Sequence, residues 1–113
     1  MNAHKFVAEK GIDEAKRVLS RAPKKSNWFQ EKGKYSNDLF SCNHEVYGEA
    51  VMLSELKQVV ESLDTIDRLF GLDQAKHTMK IAKEIGYTSD YEQIKQAIAD
   101  YELVESYKGN QHV

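Results

Sequence analysis

Residues 54–71 read Ser54-Glu55-Leu56-Lys57-Gln58-Val59-Val60-Glu61-Ser62-Leu63-Asp64-Thr65-Ile66-Asp67-Arg68-Leu69-Phe70-Gly71. Leu56, Val59, Leu63, Ile66 and Phe70 follow one another at alternating steps of three and four, the spacing that lines one side of an α-helix facing a partner helix. Ser54 is a suitable N-cap, because its hydroxyl can accept from an orphan N–H of the first turn. Gly71 is a suitable stop, because glycine enters the left-handed conformation without steric cost. On the polar side Lys57 with Glu61, and Asp64 with Arg68, stand one turn apart as ion-pair candidates. A seam of about two heptads is too short for a coiled coil, so it predicts one member of a small helical bundle.

Two further helices follow it. One opens at Asp73, carries Leu72, Ala75, Met79 and Ala82 on its apolar face, and ends at Gly86. The other opens on Ser89-Asp90-Tyr91-Glu92, a capping-box spacing, buries Tyr91, Ile94, Ile98, Tyr101 and Val104, and ends near Gly109. Residues 110–113 are expected to fray. Upstream, Pro23 has no N–H to donate and disfavours helix at Ala22, so the N-terminal helical segment stops there. Between them Trp28, Phe29, Tyr35, Phe40 and Tyr47 make residues 26–50 too aromatic for a solvated linker. The alternation at Phe40 and Cys42 and the run Ala50-Val51-Met52-Leu53 predict an irregular segment or a small antiparallel hairpin. The expected fold is mainly α: a helical hairpin over 1–22, an aromatic loop or hairpin over 23–53, and a three-helix region over 54–109.

The 113 residues suit one domain, and 41% hydrophobic with 10% aromatic content predicts a folded chain. Cofactor-sized cavities are hard to fit in so thin a core. No stretch approaches the ~18 apolar residues that span a bilayer, and Met1-Asn2-Ala3-His4-Lys5 lacks the apolar run of a signal peptide, so a cytoplasmic location and no membrane partner are expected. The net charge of −2 hides a split. Residues 1–34 carry nine Lys/Arg against four Asp/Glu, a net of +5, and the remainder carries seven against fourteen, a net of −7. Neither part is a dense run of one sign, so attraction between the two within the fold is the simplest reading.

Gly11-Ile12-Asp13-Glu14-Ala15-Lys16 recurs as Gly71-Leu72-Asp73-Gln74-Ala75-Lys76. The string reads as a hinge: glycine ends one helix, the aliphatic residue plugs the joint, and aspartate caps the next helix. A second echo, at an offset of 38, sets Leu56-Lys57-Gln58 beside Ile94-Lys95-Gln96 and Gly71 beside Gly109. Two imperfect copies do not make a solenoid. These strings, with Leu56-Lys57-Gln58-Val59-Val60-Glu61-Ser62 and Tyr101-Glu102-Leu103-Val104-Glu105-Ser106-Tyr107-Lys108-Gly109, resemble small uncharacterised accessory or early-region proteins of tailed phages and prophages. The resemblance covers the segment up to Pro23 and the helical second half, and it transfers no active-site residue. It implies a protein acting inside an infected bacterium.

The chemistry-bearing residues are sparse. A helix-turn-helix with Gly11 at the turn puts Arg17 where the motif needs an apolar residue. Lys16, Arg17, Arg21, Lys24 and Lys25, just before Trp28 and Phe29, combine phosphate-neutralising cations with aromatics that stack on bases, a pattern suited to single-stranded nucleic acid. A solvated helix end with Trp28 as a core anchor is the plainer reading. Cys42, the only cysteine, stands two residues from His44, but His4, His77 and His112 form no second pair, so no metal site is expected. Cys42 and His44 also lack an orienting third group, so an inert, buried Cys42 is expected. The six glycines never cluster into a phosphate loop, and no cofactor is implied. The expected function is therefore non-enzymatic: binding of a host or phage macromolecule, with inhibition of a host protein as its sharper form and a homodimer as a candidate state. The alternative is a nucleic-acid-binding regulator acting through the basic segment.

Overall fold

A computed structural model describes residues 1–110. The fold is mainly α, with helices α1 (Ala3–Lys10), α2 (Ile12–Arg21), α3 (His44–Tyr47), α4 (Leu53–Arg68), α5 (Leu72–Ile85) and α6 (Thr88–Asn110). Three short strands, β1 (Trp28–Gln30), β2 (Lys34–Ser36) and β3 (Ala50–Met52), form an antiparallel sheet in the order β2-β1-β3. The expected middle hairpin is therefore a three-stranded sheet. Phe40 and Cys42 lie outside it, in and just after a 3-10 turn at Leu39–Ser41. The fraying expected for 110–113 falls, beyond Asn110, outside the described residues, as does His112.

Alternation along the strands sorts the sheet's two faces. Phe29 is the register partner of both Tyr35 and Val51, and these three turn inward. Phe29 meets the Phe6 ring of α1 edge-on at 6.2 Å, and the Tyr35 hydroxyl donates to the Val18 carbonyl of α2 at 2.6 Å. On the other face Gln30 is fully buried: its side chain donates to Gly48 O and accepts from Asn43 N–H, tying residues 43–48 to the sheet.

The helices form two adjoining cores. Phe6, Val7, Val18, Phe29, Val51, Leu56, Val59 and Val104 make the first. Ile66, Ala75, Ile94, Ala97 and Ile98 make the second, with Leu69, Leu72, Met79 and Tyr101 against it. Residues 65–69, at the end of α4, share a groove with residues 90–94 of α6, and residues 54–59 share one with 96–103, so α4 and α6 run antiparallel. α1 lies against both.

Several local expectations are corrected. α4 starts at Leu53 with Met52 at its cap position, and Ser54 makes no capping bond. Strand β3 runs straight into the helix, and the Leu53 N–H is satisfied across the sheet by Asn27 O at 2.9 Å. At both hinges the cap is the glycine itself, not Asp13 or Asp73: Gly11 (φ 91°, ψ 158°) and Gly71 (φ 106°, ψ 176°) occupy a region closed to residues with a Cβ. Their carbonyls accept from Ala15 and Ala75, both fully buried. The helix α6 begins one residue before Ser89, which stands inside the first turn rather than at the cap.

The stop of α4 differs as well. The left-handed residue is Phe70, φ 67°, not Gly71. Phe70 N–H donates to Asp67 O and Gly71 N–H to Ile66 O, the Schellman pattern with phenylalanine where glycine usually stands. Gly86, at the end of α5, fills the corresponding position with φ 83°. Phe70 is 89% exposed, so the α4 seam stops at Ile66. Asp64 pairs with Lys16 of α2 at 2.9 Å rather than with Arg68, and Lys57 and Glu61 form no pair among the described residues. The Lys16–Asp64 contact joins the basic and acidic parts of the chain at the surface, with both side chains about half exposed.

Candidate functional site

The basic residues divide by position. Lys16 and Arg17 are engaged: Asp64, by hydrogen bond and charge, holds Lys16 above its ordinary pKa, and Arg17 grips Glu14 through two nitrogens, lowering the Glu14 carboxyl. Arg21, at the end of α2, and Lys24 and Lys25, in the turn after Pro23, are exposed and form no ion pair among the described residues. Trp28 is half-buried on β1, with Ser36 as its register partner.

Beside this turn lies an open pocket of about 370 Å³, lined by Lys25 and Ser26 of the turn and by Lys34, Ser36, Asn37 and Ser41. Lys34 Nζ donates to Ser41 O at 2.8 Å and stands 5.1 Å from the Tyr47 ring centroid, which leaves part of its ammonium for another acceptor. Ser36 is 7% exposed, and its Oγ is the one buried side-chain polar atom among the described residues without a hydrogen-bond partner. An unpaired hydroxyl of this kind costs about 1–3 kcal/mol. Burial pushes the neighbouring Tyr35 phenol above its ordinary pKa, against the pull of Arg17 and Arg21.

Residues 39–47 form a second surface. Phe40 is fully exposed at 102%, and Leu39, Val46 and Tyr47 are also exposed. The backbone beneath them is braced: Asp38 caps the 3-10 turn through Ser41 N–H, Asn43 caps α3 through Glu45 and Val46, and Gln30 clamps the segment to the sheet. Cys42, expected to be buried, is partly exposed, and its thiol approaches Asp38 O at 3.7 Å. The 3-10 turn holds it at the surface.

The third feature is a polar cluster between α1, α4 and α6 that sequence reading missed. Asp100, 4% exposed, accepts from Ser62 Oγ at 2.5 Å and Gln96 Nε2 at 3.1 Å, and its Oδ1 lies 2.8 Å from His4 Nε2. Gln58 Nε2 donates to Ser62 Oγ at 3.2 Å. The echo at offset 38 held the signal, because it places Gln58 on Gln96 and, carried further, Ser62 on Asp100. In the antiparallel pair these positions meet across a pseudo-two-fold axis, and each glutamine braces the polar group one turn along its own helix. Asp100 bridges the serine and the histidine: Oδ1 faces the imidazole and Oδ2 accepts from the serine hydroxyl. Open grooves of about 530 and 470 Å³ flank the cluster.

Among the described residues no group of three His, Cys, Asp or Glu could hold a metal ion, and no helix is long and apolar enough to cross a membrane. No protein-family model, no curated protein and no solved structure matches the chain.

Proposed function

We propose that this chain is a non-enzymatic accessory protein of the phage or prophage kind that works in the bacterial cytoplasm by docking a host protein through residues 39–47. The setting rests on the sequence strings that resemble such proteins. The mode of action rests on one observation: four large apolar side chains stand exposed on a segment whose backbone is braced by hydrogen bonds from Gln30, Asp38 and Asn43. Exposed apolar groups close in sequence on an ordered scaffold suit a protein partner, which desolvates them at a reduced ordering cost. Inhibition of that partner is the sharper form of the proposal. Affinity capture from bacterial lysate tests it: the wild-type chain retains a specific protein, Phe40→Asp loses it, and Ile85→Asp, at the other end of the molecule, keeps it. Capture indifferent to Phe40→Asp sinks the reading.

A second reading, nucleic-acid binding, is favoured by the unpaired cations Arg21, Lys24 and Lys25 near the half-buried Trp28. It requires single-stranded DNA binding that weakens steeply with salt and weakens further in the triple alanine variant at these three positions.

A further inference from the structure

We infer that the pocket between the Pro23–Ser26 turn and the β2 edge is a binding site for a single phosphate group. Three observations converge there. Lys25 and Lys34 both line one concavity, and neither forms an ion pair among the described residues. Lys34 is already oriented by Ser41 O and by the Tyr47 ring, so its direction is set before any ligand arrives. Ser36 lines the same pocket with a buried hydroxyl that has no partner.

Donors of this kind discriminate between ligands. A hydroxyl donor and two ammoniums match an acceptor-rich tetrahedral anion, in which separate oxygens meet separate donors. They do not match a cation. Among the described residues no Asp or Glu lines the pocket, and the carboxylate of Asp38, adjacent in sequence to Asn37 of the lining, is occupied by the Ser41 N–H and hydroxyl. Buried polar atoms in native folds are paired as a rule, and a phosphate oxygen reached by rotation about the Ser36 Cα–Cβ bond supplies the missing partner. The pocket stands without either reading above. If the phosphate belongs to a nucleic-acid backbone, the exposed Arg21 and Lys24, close in sequence to the same turn, are candidates for neighbouring phosphates, and Trp28, the register partner of Ser36, is a candidate for a base.

The test is a titration of the ¹⁵N-labelled full chain with inorganic phosphate at constant ionic strength, followed by amide shifts. Saturable shifts centred on Ser26, Ser36, Asn37 and Ser41 are expected. Lys25→Gln, at an exposed position that cannot disturb folding, weakens binding about tenfold, as loss of a charge-assisted hydrogen bond does. Ser36→Ala weakens it severalfold while leaving the thermal midpoint unchanged or raised. Absence of saturation by about 50 mM, the weak end for a single-anion site, overturns the inference, as do equal shifts with chloride or binding indifferent to both substitutions. A short oligothymidylate identifies the source. Tighter binding at the same amides, displaced by phosphate, assigns the site to a nucleic-acid backbone, and phosphate binding without oligonucleotide binding assigns it to a free phosphate or monoester. Oligonucleotide binding that neither phosphate nor Ser36→Ala affects leaves the nucleic-acid reading standing and overturns the pocket.

Discussion

Replacing Asp100 by alanine removes the acceptor at the centre of the α1–α4–α6 cluster, and the cost follows from what each partner loses. Ser62 is 3% exposed, so its hydroxyl is left buried with no acceptor, a penalty of about 1–3 kcal/mol. His4 and Gln96 are closer to solvent and turn to water, losing about 0.5–1.5 kcal/mol each. Release of the buried carboxylate from its desolvation offsets part of this. The net expectation is a loss of about 3 kcal/mol from a total stability of about 5–15 kcal/mol. Urea unfolding followed by far-ultraviolet circular dichroism reads it: with a slope near 1.5 kcal/mol/M the midpoint falls by about 2 M. Ser62→Ala removes the stranded hydroxyl, so the double variant is expected to be more stable than the two single losses predict, by about 1 kcal/mol. A loss below about 1 kcal/mol for Asp100→Ala, or additivity within about 0.3 kcal/mol, refutes the cluster as a stabilising unit.

Phe70 holds a left-handed conformation with its ring in solvent, so Phe70→Gly exchanges about 1–2 kcal/mol of backbone strain for about 0.5–1 kcal/mol of extra chain entropy. A thermal midpoint raised by a few degrees is expected, and a lowered one means the ring contributes packing. Tyr35 gives a pH signature: its folded-state pKa is raised by burial, so the unfolded chain ionises first, and the contribution is intact below about pH 10 and lost as pH rises through the raised value. Comparing urea midpoints of the wild type and Tyr35→Phe from pH 8 to 11 checks this, since the variant lacks that alkaline decline.

Helical periodicity made α4, α5 and α6 legible to within a residue or two, because their buried positions recur every three or four residues. The repeated Gly-aliphatic-Asp-x-Ala-Lys string marks both hinges, although the capping that the string suggests for aspartate is performed by the glycine backbone. The sheet was harder to read. Strands of three residues are too short for alternation to show, and Phe40 reads as a core aromatic although it stands in water. The site residues needed tertiary information: Lys16 and Arg17 resemble Arg21, Lys24 and Lys25 in sequence, and only the approach of Asp64 and the turn to Glu14 separate them. His4 and Asp100 lie at opposite ends of the chain, and local spacing carries no sign of their contact.

The pseudo-two-fold pair also bears on how α4 and α6 choose their alignment. Both helices present apolar residues at similar intervals, so sliding α6 by one turn, about 5.4 Å, would still set hydrocarbon against hydrocarbon. Such a slip sets Gln96 or Val104 opposite Ser62 and moves Asp100 opposite Gln58 or Ile66, so the serine–aspartate contact is lost in either direction. A single hydrogen-bonded serine–aspartate contact thus acts as a detent: it selects one of several nearly equivalent registers and denies the bundle a ratcheting motion that its apolar surfaces alone would permit.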